Sequence, residues 1–84
     1  MTPADLLAAL DAAQAGDWHR AHAIVQRDEA DSLACRIHAV LHKIEGDAWN
    51  SRYWYAQAGH KYEDFADGGV ELAAIRREIA PGSP

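Results

Sequence analysis

Four residues with metal-binding or nucleophilic side chains share one stripe of a predicted helix. They are Cys35, His38, His42 and Glu45, and at about 100° per residue they fall within roughly 80° of one another. Two histidines four residues apart can bind one metal ion from the same helix, and Glu45 could add a carboxylate. His22, on the preceding predicted helix, could complete such a site across the interface between the two helices.

The same histidines also have a structural interpretation, which the sequence favours. The chain has no HExxH motif, and a histidine at the edge of an apolar helix usually hydrogen-bonds a carboxylate, a carbonyl or an aromatic hydroxyl. We therefore expect structural or interface histidines and no cofactor. The alternative is a site for a transition metal such as zinc, or for a small ligand, formed by His22, His38, His42 and Glu45.

No combination of residues indicates catalysis. The sequence contains no nucleophile elbow, no glycine-rich phosphate-binding loop and no third group that would complete a pair formed by Cys35 and His38. Cys35 is expected to behave as a small hydrophobic residue. We predict a protein that is not an enzyme and has no catalytic residues.

Composition limits the class of protein. A chain of 84 residues suits one domain, residues 1–84, and the net charge of −5 without a basic stripe argues against a nucleic-acid partner. The single cysteine excludes an internal disulfide framework. No segment approaches the roughly 20 apolar residues of a membrane span, and the N-terminus does not read as a signal peptide. The simplest expectation is a bacterial, cytoplasmic protein that does not bind membranes.

Start and stop signals divide the chain into about five helices. Thr2-Pro3 is a good helix start, while Gly16-Asp17 and Gly46-Asp47 each end one helix and cap the next. The connector after Gly59 is expected to contain at most one helical turn, and Gly68-Gly69 is interpreted as a flexible break. A last helix is predicted from Val70 to Ala80, stopped by Pro81-Gly82.

The predicted core centres on the third helix. Its apolar residues recur at helical spacing and form one continuous face: Leu33, Ile37, Val40, Leu41 and Ile44. Leu10, Trp18 and Trp49 are expected to be buried with them. The last helix is expected to contribute Leu72, Ile75 and Ile79.

Aromatic residues lie all round the fourth predicted helix, which suits a helix buried on two sides. We expect one face of this helix to pack inside its own hairpin; that face carries Trp49, Tyr53 and Ala56. Trp54 and Ala58 would then face a neighbouring layer, with Tyr55 between the two faces.

Two segments resemble tetratricopeptide and Sel1-like repeats. GDWHRA, residues 16–21, looks like the Gly-Asp-aromatic entry to a repeat helix, and SRYWYAQAG, residues 51–59, is similar to the Sel1-like signature. Ser51 stands where that family usually has Ala, Trp54-Tyr55 match its aromatic pair, and Ala58 matches its later small residue. The resemblance implies an all-α fold of two antiparallel helix hairpins, to which the chain adds a C-terminal packing helix.

Only two hairpins fit in the chain, so one face that a longer array would cover is left open. We therefore predict a non-enzymatic module for protein interaction or self-association, with a second copy preferred as the partner in a homodimer. The predicted surface consists of Trp54, Tyr55 and Ala58. In the alternative arrangement the C-terminal helix folds back over this surface within one chain.

Overall fold

The computed structural model describes residues 1–80 and contains five α-helices in that range. They are α1 (Pro3–Gln14), α2 (Trp18–Val25), α3 (Ser32–Ile44), α4 (Ala48–Ala58) and α5 (Gly68–Ile79). A short 3₁₀ turn, Tyr62–Asp64, lies between α4 and α5. The prediction of an all-α protein with about five helices is confirmed, whereas the predicted stop at Pro81-Gly82 lies outside the described residues.

The two Gly-Asp pairs form the predicted turns. Gly16 and Gly46 have φ angles of 78° and 82°, in the left-handed region that favours glycine at a helix C-terminus. Asp17 and Asp47 follow them, and each side chain accepts a hydrogen bond from the backbone N–H three residues later, at 3.2 and 3.3 Å. Each turn therefore stops one helix and caps the next.

Helix α3 occupies the centre of the fold. The short turns pair α1 with α2 and α3 with α4 as antiparallel hairpins, and α5 packs against α3 and α1. Because α3 also contacts α1 and α2, every residue from 34 to 41 is buried, including two polar side chains. Within residues 1–80, no helix combines the length and apolar character that a bilayer span requires.

The core contains most of the predicted apolar residues. Leu10, Ile37, Val40 and Leu41 are fully buried, as are Leu72 and Ile75 of α5. The remaining predicted core residues are less buried than expected: Leu33, Trp18 and Ile79 are half-buried, and Ile44 and Trp49 are exposed. Ile44 lies in the last turn of α3, where neighbouring helices surround it less completely.

The interpretation of Gly68-Gly69 as a flexible break is wrong at Gly68. The side chain of Asp67 caps α5 by accepting a hydrogen bond from the N–H of Val70, so the helix begins at Gly68. Gly68 is buried against α3, and a Cβ at this position would lie only 2.5 Å from Cγ1 of Ile44. A side chain at this position would therefore fit only if the side chain of Ile44 moved.

Helix α4 packs on the core through a different face from the predicted one. Trp49 and Tyr53, expected inside the hairpin, are 78% and 50% exposed, and Ala56 is exposed with them. Ser51 and Tyr55 point inwards instead. The small Ser51 allows α4 to approach α3, and its hydroxyl donates a 2.6 Å hydrogen bond to the carbonyl of Ala39.

Candidate metal centre

Three histidines converge between α2 and α3, and we call them the histidine cluster. His22 comes from α2, while His38 and His42 lie one turn apart on α3. One ligand nitrogen from each ring can be chosen so that all three lie within 4.8 Å of one another. The ring centroids are 5.0–5.1 Å apart in every pair. The structure therefore brings together the three histidines that the sequence placed on two separate helices.

The packing of α2 on the core holds His22 in this position. Ala21, Ile24 and Val25 are buried and fix the inner face of this short helix. His22 follows Ala21 at the edge of that face and is half-buried, which directs its ring toward α3. On α3, the spacing of four residues puts His38 and His42 on the same side.

His38 is the most enclosed member of the histidine cluster, with 2% of its surface exposed. Its ring stacks between those of His42 and Trp54, at centroid distances of 5.0 and 4.2 Å. Burial, together with repulsion from the neighbouring rings of His22 and His42, lowers the pKa of His38 to about 4. His38 is therefore neutral at pH 7, which is the form in which an imidazole binds a metal ion.

His42 has a buried nitrogen without a hydrogen bond. No group within residues 1–80 hydrogen-bonds its Nδ1, although Oδ2 of Asp47 lies 3.5 Å away. Asp47 is engaged with Asn50, whose side chain donates to it at 2.6 Å and lowers the pKa of its carboxyl. A buried polar atom without a partner costs about 1–3 kcal/mol, so the histidine cluster is not satisfied by protein groups alone.

The other two residues of the predicted stripe, Glu45 and Cys35, do not place a ligand atom among the three histidine nitrogens. Glu45 contacts the histidine cluster from its edge, with Oε1 2.7 Å from Nε2 of His22. Cys35 lies outside the cluster, because its thiol donates to the carbonyl of Glu29 at 3.1 Å. Burial raises the pKa of the Cys35 thiol, as expected for a small hydrophobic residue rather than a thiolate ligand.

The separation of the three nitrogens is close to what a metal ion needs. Zn–N bonds of about 2.0–2.1 Å in a tetrahedral site place two ligand nitrogens about 3.3–3.4 Å apart. Because the three nitrogens lie within 4.8 Å of one another, the most widely separated pair must close by up to about 1.5 Å to hold one ion. The rings of His38 and His42 are stacked with 22° between their planes, so they must also rotate to direct both lone pairs at one ion. A tetrahedral ion would keep one position open for a further ligand.

The predicted interaction surface is not a continuous exposed patch. Tyr55 is only 1% exposed, and its hydroxyl donates to Oε1 of Glu71 at 2.5 Å. Trp54 is half-buried because its indole stacks on His38, and Ala58 is half-buried beside it. The placement of Tyr55 on this surface is therefore wrong. The signal that could have located it is the pair of small residues, Ser51 and Ala58, which flank the aromatic pair on the face nearest α3.

A second polar cluster was not found from the sequence. It centres on Glu71, which is 1% exposed, and we call it the Glu71 cluster. Arg36 and Lys43 donate to this carboxylate at 3.2 and 3.1 Å, and Tyr55 completes the cluster. The available signal was a matched spacing, because Arg36 and Lys43 lie two turns apart on α3, as do Glu71 and Glu78 on α5.

The function of this chain is inferred from its own residues and their geometry. The resemblance to tetratricopeptide and Sel1-like repeats stays a prediction based on two short segments. Comparison of the chain with protein-family models, with curated proteins and with solved structures found no match.

Proposed function

We propose that this protein is a metal-binding domain that holds one divalent transition-metal ion with His22, His38 and His42. The single observation that carries this proposal is the convergence of three imidazole nitrogens from two helices within 4.8 Å of one another. Imidazole ligands suit zinc and its neighbours copper, nickel and cobalt rather than magnesium or calcium. Zinc is the proposed ion, since three histidine ligands with one open position are a known zinc arrangement.

Two properties of the histidine cluster support this proposal. The low pKa of His38 means that an incoming ion does not have to displace a proton from this residue at neutral pH. The unsatisfied Nδ1 of His42 shows that protein groups do not use all the lone pairs and N–H groups of the cluster. An ion bound between α2 and α3 would also link the two hairpins, so it would stabilise the fold.

The test is a titration of protein purified without a histidine tag. Cobalt(II) is the probe, because its visible absorption reports coordination geometry, and zinc is then added to displace it. We expect one cobalt per chain and a tetrahedral or five-coordinate spectrum. His22→Gln, His38→Phe and His42→Gln should each weaken cobalt binding at least tenfold.

The chain provides matched controls for this titration. His19 and His60 are both exposed and lie outside the cluster. His19→Gln and His60→Gln should therefore leave the cobalt affinity unchanged. A wild-type chain that binds no cobalt or zinc, or one whose binding depends equally on all five histidines, would overturn the proposal.

Protein interaction is a second candidate function, and the outer face of α4 favours it. Trp49 and Tyr53 lie one turn apart and are the most exposed aromatic residues of this helix, at 78% and 50%. Because they are four residues apart, these two exposed aromatic side chains lie on the same face of α4, where one partner surface can contact both. We propose a second copy of this chain as the partner, with Trp49 and Tyr53 at the contact. These two residues replace the predicted contact surface of Trp54, Tyr55 and Ala58.

Light scattering over a range of protein concentrations tests this second function. A dimer should show about twice the monomer mass, and Trp49→Ala should weaken association by more than 1 kcal/mol if Trp49 anchors the contact. Gln57→Ala, at another exposed position of α4, is the control and should leave the association constant unchanged. A monomeric mass at millimolar concentration would contradict the dimer.

A further inference from the structure

Glu45 contacts the histidine cluster without belonging to the three converging ligand groups. It follows the last residue of α3 and precedes Gly46 in the turn to α4. Its Oε1 lies 2.7 Å from Nε2 of His22, a contact that joins the C-terminus of α3 to the middle of α2. Its side chain is about one third exposed and that of His22 one fifth, so water screens the pair only in part.

This contact determines which nitrogen of His22 carries the proton. An ionised carboxylate has no hydrogen to donate, so Nε2–H of His22 must be the donor. A metal ion binds the neutral form of an imidazole, in which only one nitrogen is protonated, so in that form the lone pair of His22 is on Nδ1. If a metal ion binds His22 while the bond to Glu45 is kept, it must therefore bind through Nδ1.

The other carboxylate near the histidine cluster does not act in this way. Oδ2 of Asp47 is 3.5 Å from Nδ1 of His42, and no hydrogen bond joins them. Asp47 instead accepts hydrogen bonds from the backbone and side chain of Asn50. Glu45 is thus the one carboxylate, among the described residues, that hydrogen-bonds a ring of the cluster.

We propose that Glu45 is a positioning residue of the metal site: it fixes His22 as the Nε2–H tautomer and presents Nδ1 to the ion. This inference rests on the proposed function and adds a residue with a stated role outside the ligand set. Carboxylates that accept the second N–H of a metal-bound histidine fix its orientation and make it a better ligand. Their loss typically weakens metal affinity 10–100-fold.

Two substitutions distinguish a positioning role from a ligand role for Glu45. Glu45→Ala removes the acceptor and should weaken zinc binding 10–100-fold while one ion is still bound per chain. In Glu45→Gln the amide oxygen can still accept from Nε2–H, so this variant should recover most of the lost affinity. A carboxylate that binds the metal directly would not be replaced by an amide in this way. Glu63→Ala, at an exposed glutamate of the 3₁₀ turn, is the control.

Nitrogen-15 NMR of the histidine rings in metal-free protein at neutral pH provides the second measurement. We expect His22 as the Nε2–H tautomer in the wild type and in Glu45→Gln, and as a mixture of tautomers in Glu45→Ala. If the wild type binds zinc, either of two results overturns the role of Glu45 and leaves the proposed function standing. One is an Nδ1–H tautomer of His22, and the other is an unchanged zinc affinity in Glu45→Ala. Failure of the wild-type chain to bind zinc overturns the proposed function, and the role of Glu45 with it.

Discussion

Helix α3 carries two polar clusters on different sides, and they differ in how fully protein groups satisfy them. In the Glu71 cluster, two cations and a tyrosine hydroxyl surround one buried carboxylate. The ammonium of Lys43 also donates to the carbonyls of Tyr62 and Phe65, at 2.9 and 2.7 Å. In the histidine cluster, three like groups face one another, and one buried nitrogen has no hydrogen bond from residues 1–80.

The difference separates a structural role from a binding role. A buried charge is tolerated when opposite charges and hydrogen bonds surround it, and the Glu71 cluster meets that condition with residues of α3, α4 and α5. It ties the C-terminal helix and the connector to the core. The histidine cluster has donors for a metal ion and too few protein partners for its own nitrogens. We therefore assign the first cluster to stability and propose the second as the site of function.

The largest expected effect comes from breaking the Glu71 cluster. Glu71→Gln removes the buried negative charge and leaves Arg36 and Lys43 without their shared counter-ion, so we expect a loss of about 3–5 kcal/mol in the free energy of unfolding. That is a large share of the roughly 4–13 kcal/mol typical of a domain of this length. Urea denaturation measures it, with Glu63→Gln on the surface as the control. A loss below about 1 kcal/mol would show that the Glu71 cluster is not a structural unit.

The histidine cluster should instead make stability depend on pH. The folded-state pKa of His38, about 4, lies below its ordinary value of 6.5, so the unfolded chain takes up a proton first as the pH falls. The contribution of His38 is present in full above pH 6.5, is lost between pH 6.5 and 4, and amounts to about 3 kcal/mol. Denaturation with a chelator present should show this loss in the wild type.

His38→Phe is the matched variant for the pH experiment. Phenylalanine keeps an aromatic ring against Trp54 and cannot take up a proton, so the difference in stability between pH 7 and pH 5 should be smaller in this variant. The carboxylates and the other four histidines are present in both proteins, so the comparison between them isolates His38. Equal pH dependence in the two proteins would show that His38 is not held in its neutral form by the fold.

A smaller effect should follow from removing one hydroxyl of the Glu71 cluster. Tyr55→Phe keeps the buried ring and deletes the hydrogen bond to Glu71, so we expect a loss of about 1–2 kcal/mol. Tyr53→Phe, on the exposed face of α4, should change the free energy of unfolding by less than about 0.5 kcal/mol. If α4 packed on the core through Trp49 and Tyr53, as the sequence predicts, Tyr53→Phe would cost more stability than Tyr55→Phe.

The smallest of these effects concerns the turn beside the histidine cluster. Asp47→Ala removes the cap of α4 and should cost about 1 kcal/mol through the lost hydrogen bond to the backbone N–H of Asn50. Because Asp47 does not hydrogen-bond His42, zinc affinity should stay within a few fold of the wild type. A large fall in affinity together with this modest loss of stability would give Asp47 a part in the metal site.

Local signals in the sequence predicted the number of helices and the two Gly-Asp turns, although they placed the start of α5 at Val70 instead of Gly68. The Gly-Asp pairs predicted both hairpins, since a left-handed glycine and an aspartate cap act within a few residues. His38, His42 and Glu45 were also identified, because spacings of three and four residues on α3 define one side of a helix. Their convergence with His22 depended on how α2 packs on α3, which the sequence left open.

The sequence did not predict which face of α4 packs on the core. On α4, hydrophobicity alone favoured burying Trp49, whereas close packing on α3 required the small Ser51 and the hydrogen-bonded Tyr55 on the inner face. The Glu71 cluster was missed for a related reason. From the sequence alone, a charged residue such as Glu71 is expected to be exposed to solvent. The partners that allow its burial lie on α3 and α4, 16–35 residues away along the chain.

A crystal structure of the tag-free protein grown with one equivalent of zinc tests the proposed function most directly. Data collected on the two sides of the zinc absorption edge locate the ion without reference to any other evidence. We predict one anomalous peak between α2 and α3, bonded to His22, His38 and His42 at about 2.0–2.1 Å. Zinc found only at surface sites, with the ring centroids of the three histidines still 5.0–5.1 Å apart, would contradict the proposal.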